Sequence, residues 1–278
     1  MTTESLAPTP TSVGSWRWLL SDTLVFAGRN IAHIKEIPEK LIDVTIQPLM
    51  FVVLFAYVFG GAIDVPGGSY REYLIGGILI QSLAFGIVGP AQSISTDLTE
   101  GVIDRFVSLP TSRTAYLLGH VVAEMAGMAL AITILSFSGL VVGWRTHTGV
   151  IDVVEGYLLL LLFAAAIIWM GTLIGLLVRS ADAVTGVAFL VVFPMTFLSN
   201  AFVPIDTLPT VLKYAAAYNP ISTLVVAIRE QFGNPTAPVS LSVWPLEHAA
   251  LASLLWCVVL IGISVPLTVA RFRQRTIN

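Results

Sequence analysis

Six stretches of the chain run for 20 residues or more without Asp, Glu, Lys or Arg: Val44–Ile63, Tyr73–Thr96, Met125–Trp144, Gly156–Val178, Ala183–Ile205 and His248–Ala270. A helix crossing the hydrocarbon core of a bilayer needs about 20 apolar residues. The third run extends back to about Thr114 and then encloses one acid, Glu124. No run alternates with a period of two, and all are too long for barrel strands. The pattern predicts an all-α integral membrane protein with six transmembrane helices.

Three further segments are amphipathic rather than uniformly apolar. In Trp16–Ile37, the residues Trp16, Leu20, Leu24, Ala27, Ile31 and Ile34 recur every three or four positions, which gathers them on one helix face. Arg17, Arg29 and Lys35 add cationic groups, and Pro38 ends the helix. Such a helix (within 15–43) either anchors on the membrane surface or docks a partner. The second segment is Asp97–Leu109. Asp97 and Glu100 are spaced to cap a short helix. Leu98, Val102, Phe106 and Leu109 share one face of it, against Glu100, Asp104 and Arg105. It reads as a plug for a cleft on another protein or as a linker resting on the bilayer. The third, 205–233, contains two half-apolar stretches separated by Asn219-Pro220, which predicts a helical hairpin re-entering the membrane. In it Leu208, Leu212, Leu224 and Ile228 are expected to face the span bundle.

Composition agrees with the pattern: 56% of residues are hydrophobic, 11% are charged and the mean hydropathy is +0.86. A soluble domain carries about 25% charged residues. The net charge of −3 excludes a basic nucleic-acid-binding surface. The cations nonetheless segregate. Arg17, Arg29, Lys35, Lys40, Arg105, Arg113, Arg179, Arg271, Arg273 and Arg275 flank one set of span ends, and Arg71, Arg145, Lys213 and Arg229 flank the other. That bias places both termini in the cytoplasm of a multi-pass plasma-membrane protein. Residues 1–14 read as a disordered cytoplasmic tail and 274–278 as a second short tail, with no signal peptide.

Catalytic chemistry is missing. No G-x-x-x-x-G-K-[ST] occurs, and the sequence holds no Gly-Lys pair. The histidines 33, 120, 147 and 248 are scattered, Cys257 is alone, and no metal spacing exists. Glu124 and His120 lie one helical turn apart, which suits an interhelical contact better than proton transfer. An ion-coupled secondary transporter would need charged midplane residues and repeated halves. Neither is evident, and a non-transporting membrane scaffold is the remaining alternative.

The segments Glu100-Gly-Val-Ile-Asp-Arg-Phe-Val-Ser-Leu-Pro110, Gly175-Leu-Leu-Val-Arg-Ser180, Phe193-Pro-Met-Thr-Phe-Leu-Ser-Asn-Ala-Phe-Val-Pro204 and Tyr218-Asn-Pro-Ile-Ser222, in this order, resemble the membrane permease subunits of type-2 ABC exporters. The likeness is to the daunorubicin/doxorubicin-resistance permease group and runs from about Trp16 to Arg273. It implies a six-span permease domain over 44–273 that pairs with a second permease chain, identical or not. It also implies a separate cytosolic ABC ATPase, which holds ATP and Mg, whereas this chain binds no cofactor. The coupling helix to that ATPase would be 97–109, with Asp97, Leu98, Glu100, Gly101, Val102, Asp104, Arg105, Phe106 and Leu109 in the contact. The interface helix would carry Arg17, Arg29 and Lys35 along membrane lipids. Cargo would be a hydrophobic or amphipathic drug, lipid or glycolipid. In such a path Phe51, Phe55, Phe85, Phe189, Phe193 and Phe197 are the candidate contacts.

Overall fold

The computed structural model describes residues 49–59, 65, 68–107, 113–178, 180–237 and 240–275, together with Ile46. The predicted interface helix, with Arg17, Arg29 and Lys35, lies outside the described residues. So do residues 1–14, 276–278 and Leu109, whereas Gln274 and Arg275 of the expected second tail continue the final helix. The described residues are helical with no strand.

Four helices are long and apolar enough to cross a membrane: Tyr70–Thr99, Ala115–Val142, Val150–Leu177 and Ala249–Arg275. The first is built from two pieces, α2 (Tyr70–Phe85) and α3 (Val88–Thr99). The break falls at Gly86-Ile87, because Pro90 has no N–H to return to the Gly86 carbonyl. Before it lies the shorter apolar helix α1 (Leu49–Val58), whose last turn is wound as a π-helix. After α3 come the six-residue α4 (Val102–Val107) and α5 (Arg113–Val142). Then follow α6 (Val150–Leu177) and the 17-residue α7 (Ala181–Phe197). The chain is completed by α8 (Thr210–Ala217), α9 (Pro220–Phe232), α10 (Trp244–Glu247) and α11 (Ala249–Arg275). Span five of the sequence reading, Ala183–Ile205, is thus a shorter helix followed by a non-helical stretch through Pro204.

Helix α6 is the hub and packs on α11, α3, α5 and α9. Its glycines permit the closest approach. A Cβ at Gly171 would sit 2.5 Å from the Ile87 carbonyl oxygen, and one at Gly175 would sit 2.3 Å from that of Ala91. This small-xxx-small stripe lets backbone touch backbone, the usual solution where lipid supplies no hydrophobic drive between helices.

The segment expected to form the hairpin is asymmetric. α8 and α9 meet at a 67° bend, and Asn219 caps α9 by accepting from the Ile221 N–H. α9 is wrapped on nearly all sides, with Leu224, Val225, Ala227, Ile228 and Phe232 fully buried. α8 is largely open: Leu212 is exposed and Val211 is 80% exposed, against the expectation that Leu212 faces the bundle. Residues Ile205–Thr207 form a 3-10 turn rather than the start of α8. Asp206 instead accepts hydrogen bonds from Ser240 and pairs with Lys213 at 3.1 Å.

Candidate functional site

Two places in the fold concentrate the residues singled out by sequence. The first is an aromatic face built by α1, α7 and the turn after α7. Phe51 and Phe55 are one turn apart on α1 and stack with ring centroids at 5.8 Å. Phe193 and Phe197 do the same on α7 at 4.3 Å. Phe202 joins the two pairs, 4.7 Å from Phe55 and 5.3 Å from Phe197. Phe85 meets Phe189 at 5.2 Å, one turn along the same stripe of α7. All six predicted phenylalanines are therefore drawn to this face. Phe189, Phe193 and Phe197 remain 44–47% exposed, so they are not core residues of this chain. A shallow groove of about 490 Å³ runs beside Gly186, Phe189, Leu190, Phe193 and Pro194. Phe202, which links the cluster, lies within the expected fifth span but was not among the candidate contacts, and the structure places it in the non-helical stretch after α7.

The turn that carries Phe202 is held by a buried polar network. Arg229 of α9 is 1% exposed. Its Nε donates to the Tyr73 carbonyl at 2.8 Å and its Nη2 to the Ala201 carbonyl at 3.0 Å. The guanidinium lies 3.3 Å from the centroid of the Tyr73 ring. Tyr73 Oη donates to the Asn200 carbonyl at 2.8 Å, and Tyr70 Oη to that of Phe202 at 3.2 Å. Asn219 Nδ2 donates to the carbonyls of Met195 and Leu198, both at 2.7 Å, while Ser222 Oγ accepts from the Asn200 N–H. The non-helical backbone after α7 is satisfied by side chains of α2 and α9, as irregular backbone at membrane depth requires. Gly77 makes room: a Cβ there would fall 2.0 Å from the Ala201 oxygen. Sequence reading counted Arg229 as a flanking surface charge. The available signal was its setting, Val225-Val226-Ala227-Ile228-Arg229, apolar over a full turn.

The second place is at the opposite end of α2–α3, around α4. Asp97 and Leu98 belong to the last turn of α3 and do not open a new helix. Glu100 is the exposed C-cap of α3, so the capping-box expectation for Asp97 and Glu100 gives way to a helix end. Gly101 follows at φ +66°, a conformation that suits glycine. α4 begins at Val102 and buries Ile103, 2% exposed, while Arg105 stays exposed. Asp104 and Phe106 fall on this helix, with their side chains outside the described set. Ile103 joins a satellite core of Ile94, Ala115, Tyr116, Leu117, Leu176 and Phe272, which gathers the ends of α3, α5, α6 and α11. Tyr116 donates its hydroxyl to Asp97 and stacks on Phe272, with centroids 5.6 Å apart and planes 8° from parallel.

Elsewhere, Glu124 sits beside Gly89 of α3, while the Nε2 atom of the buried His120 has no hydrogen-bond partner, so this atom makes no bond to Glu124. Among the described residues no group of three or more His, Cys, Asp or Glu side chains could hold a metal ion.

Residues 22–232 match the sequence family described as ABC-2 type transporter. The chain is similar to the daunorubicin resistance ABC transporter permease protein DrrB1 of Streptomyces coeruleorubidus, with 31% identity over 211 residues, 76% of this chain and 75% of that protein. It is also similar to the doxorubicin resistance ABC transporter permease protein DrrB of Mycobacterium tuberculosis, 27% identical over 81% of this chain and 80% of that protein. A third relative is the inner membrane transport permease YadH of Escherichia coli, 23% identical over 70% of this chain and 75% of the other. With four helices fit to cross a bilayer and a family match over most of its length, this multi-pass membrane protein belongs to the ABC-2 type transporter family, as a type-2 ABC permease.

Proposed function

We propose that this chain is the permease subunit of an ATP-driven exporter that moves hydrophobic or amphipathic cargo out of the cell. The observation that carries this reading is the aromatic face: five phenylalanines in a row of ring contacts, with the Phe85–Phe189 pair one turn further along α7, and three of the seven rings left open to the surroundings of the chain. An apolar cargo leaving water along such a wall gains about 25 cal/mol per Å² of surface covered. In the active dimer the same face borders the second permease chain and the route. Cargo resembling the aromatic drugs in the relatives' names is the first to test, with lipids and glycolipids next.

The energy source is a separate cytosolic ABC ATPase, where ATP and Mg are bound. It docks on 97–109, with Glu100 and Arg105 presented outward beside the buried Ile103. Topologically, α1 and α7 complete six spans with the four long helices, and both termini are cytoplasmic. The test is reconstitution of the permease with its ATPase in vesicles. ATP-dependent accumulation of daunorubicin or doxorubicin is expected, and it should fall when Phe193 and Phe197 are changed to Ala. Cysteines at Glu100 and Arg105 should cross-link to the ATPase. Transport that persists with the ATPase removed would overturn the reading.

A further inference from the structure

Gly101 creates a mechanical difficulty for any push delivered through α4. With φ at +66° it joins α3 and α4 by a turn instead of a continuous helical rod. A six-residue helix on such a pivot swings when pushed unless side chains clamp it. The clamp is the satellite core, and one residue in it reaches two long helices at once. Tyr116, in the first turns of α5, holds Asp97 at the end of α3 through its hydroxyl. The face of its ring lies on Phe272 in the last turn of α11, nearly parallel to it. Ile103 of α4 is buried in the same apolar cluster as this pair, together with Ile94 and Leu176.

We propose that Tyr116 is a positioning residue that transmits movement of the coupling segment to α11, the last span. The hydroxyl fixes the end of α3 against α5, so that displacement of α4 cannot be absorbed at Gly101. The ring then passes the displacement sideways to Phe272. Because α11 packs along α6 and α9, a shift at its Phe272 end reaches the re-entrant segment through rigid helices. The two roles of Tyr116 are chemically separable: Tyr116→Phe deletes the donor and keeps the stack, whereas Tyr116→Leu deletes both. The inference rests on the reading that 97–109 docks an ATPase, and the experiment is arranged to separate the two.

The permease is reconstituted with its ATPase, and the drug transported per ATP hydrolysed is measured for the parent, Tyr116→Phe, Tyr116→Leu, Phe272→Leu and Asp97→Ala. Each variant also carries a cysteine at Glu100 for cross-linking to the ATPase. Tyr116→Phe and Asp97→Ala should each lower the transport per ATP by about tenfold, the weight of one hydrogen bond to a charged group. Their combination should be less severe than the product of the two single effects, because the two changes share one bond. Tyr116→Leu and Phe272→Leu should lower it further while hydrolysis continues. If cross-links form normally and every variant keeps the parental transport per ATP, the relay is wrong and the docking reading stands. Hydrolysis and transport falling together, in proportion to the folded complex, would also overturn the relay, by reducing Tyr116 to packing. If no cross-link to the ATPase forms in the parent, the docking reading falls and the relay falls with it.

Discussion

The two ends of the α2–α3 span are held in opposite ways. At the hairpin end, α2, α9 and the turn after α7 are bound together through a buried arginine, two tyrosine hydroxyls, an asparagine and a serine, all paired with backbone atoms. At the α4 end, five helix ends meet over seven apolar or aromatic side chains, joined by bonds that include Tyr116 to Asp97 and Arg275 to the Leu176 carbonyl. Backbone-directed bonds in low dielectric have sharp geometry and are costly to leave unmade. A small apolar cluster holds chiefly by shape and close packing. The comparison teaches that this fold anchors the hairpin through directed backbone bonds and the α4 end mainly through side-chain packing, which moves as a unit where the ATPase is proposed to act.

Several substitutions would break or sharpen the contrast. The largest effect is expected from Gly77→Val, which drives a branched side chain into the Ala201 carbonyl, where a Cβ alone already lies 2.0 Å away. Overpacking costs about 1–3 kcal/mol when a flexible side chain can yield, and here backbone must move. The protein should vanish from the detergent-soluble folded fraction in fluorescence-detected size-exclusion chromatography. Arg229→Leu comes next, since it strands two buried carbonyls and removes the stack on Tyr73. A loss of about 3 kcal/mol is expected, read as a lower thermal midpoint, and Arg229→Lys should restore only part of it. A fully stable Arg229→Leu protein would remove the basis for calling this end anchored by directed bonds. Ile103→Ala, at the α4 end, should cost about 2 kcal/mol by cavity formation. It should damage ATP-coupled transport more than its modest change in melting temperature suggests.

The smallest expected effect concerns pH at the rim of the hairpin. Hydrogen bonds from Ser240, aided by Lys213, hold the Asp206 carboxyl below its ordinary value. A depressed folded-state value means that Asp206 contributes stability above its unfolded pKa of about 3.9 and loses it as pH falls through the lower folded value. Thermal midpoints should therefore be insensitive to this group between about pH 5 and 8 and should drop below about pH 4. Asp206→Asn should flatten that acid limb alone. An unchanged acid limb would mean that the Ser240 contact is not maintained in solution.

Much of the bundle was legible because long apolar runs leave a membrane chain few options. Gly156–Val178 became Val150–Leu177: the helix starts earlier than the charge-free run, since Asp152 serves as the acid of its first turn and accepts from the Gly149 N–H. The break in α2–α3 was not read from the run Tyr73–Thr96, although Pro90, four residues past Gly86, is its cause. Phe189, Phe193 and Phe197 were singled out through the family resemblance, and their spacing of four places them on one stripe of α7. What could not be read were bonds between distant segments. Arg229 and Tyr73 are 156 positions apart, and no local pattern announces a guanidinium that will meet a carbonyl of α2. The coupling segment shows the other limit. An S/T/D-x-x-E spacing at Asp97 competes with continuation of α3, and tertiary packing of Asp97 on Tyr116 decided for the longer helix.

The buried arginine also constrains how the protein is made. α9 has 13 residues and is about 20 Å long, too short to cross a hydrocarbon core of about 30 Å. Presented to lipid alone, its guanidinium would meet an insertion cost of about 2.5–3.5 kcal/mol. It cannot therefore be threaded by the translocon as an ordinary span. Its acceptors, the carbonyls of Tyr73 and Ala201, both precede it along the chain, so they have emerged from the ribosome before Arg229 does. Synthesis in the N-to-C direction thus prepares a polar berth before the charged helix arrives. A circular permutant that delivers α9 ahead of α2 should stall as an unassembled, protease-sensitive intermediate, even though its mature contacts are unchanged.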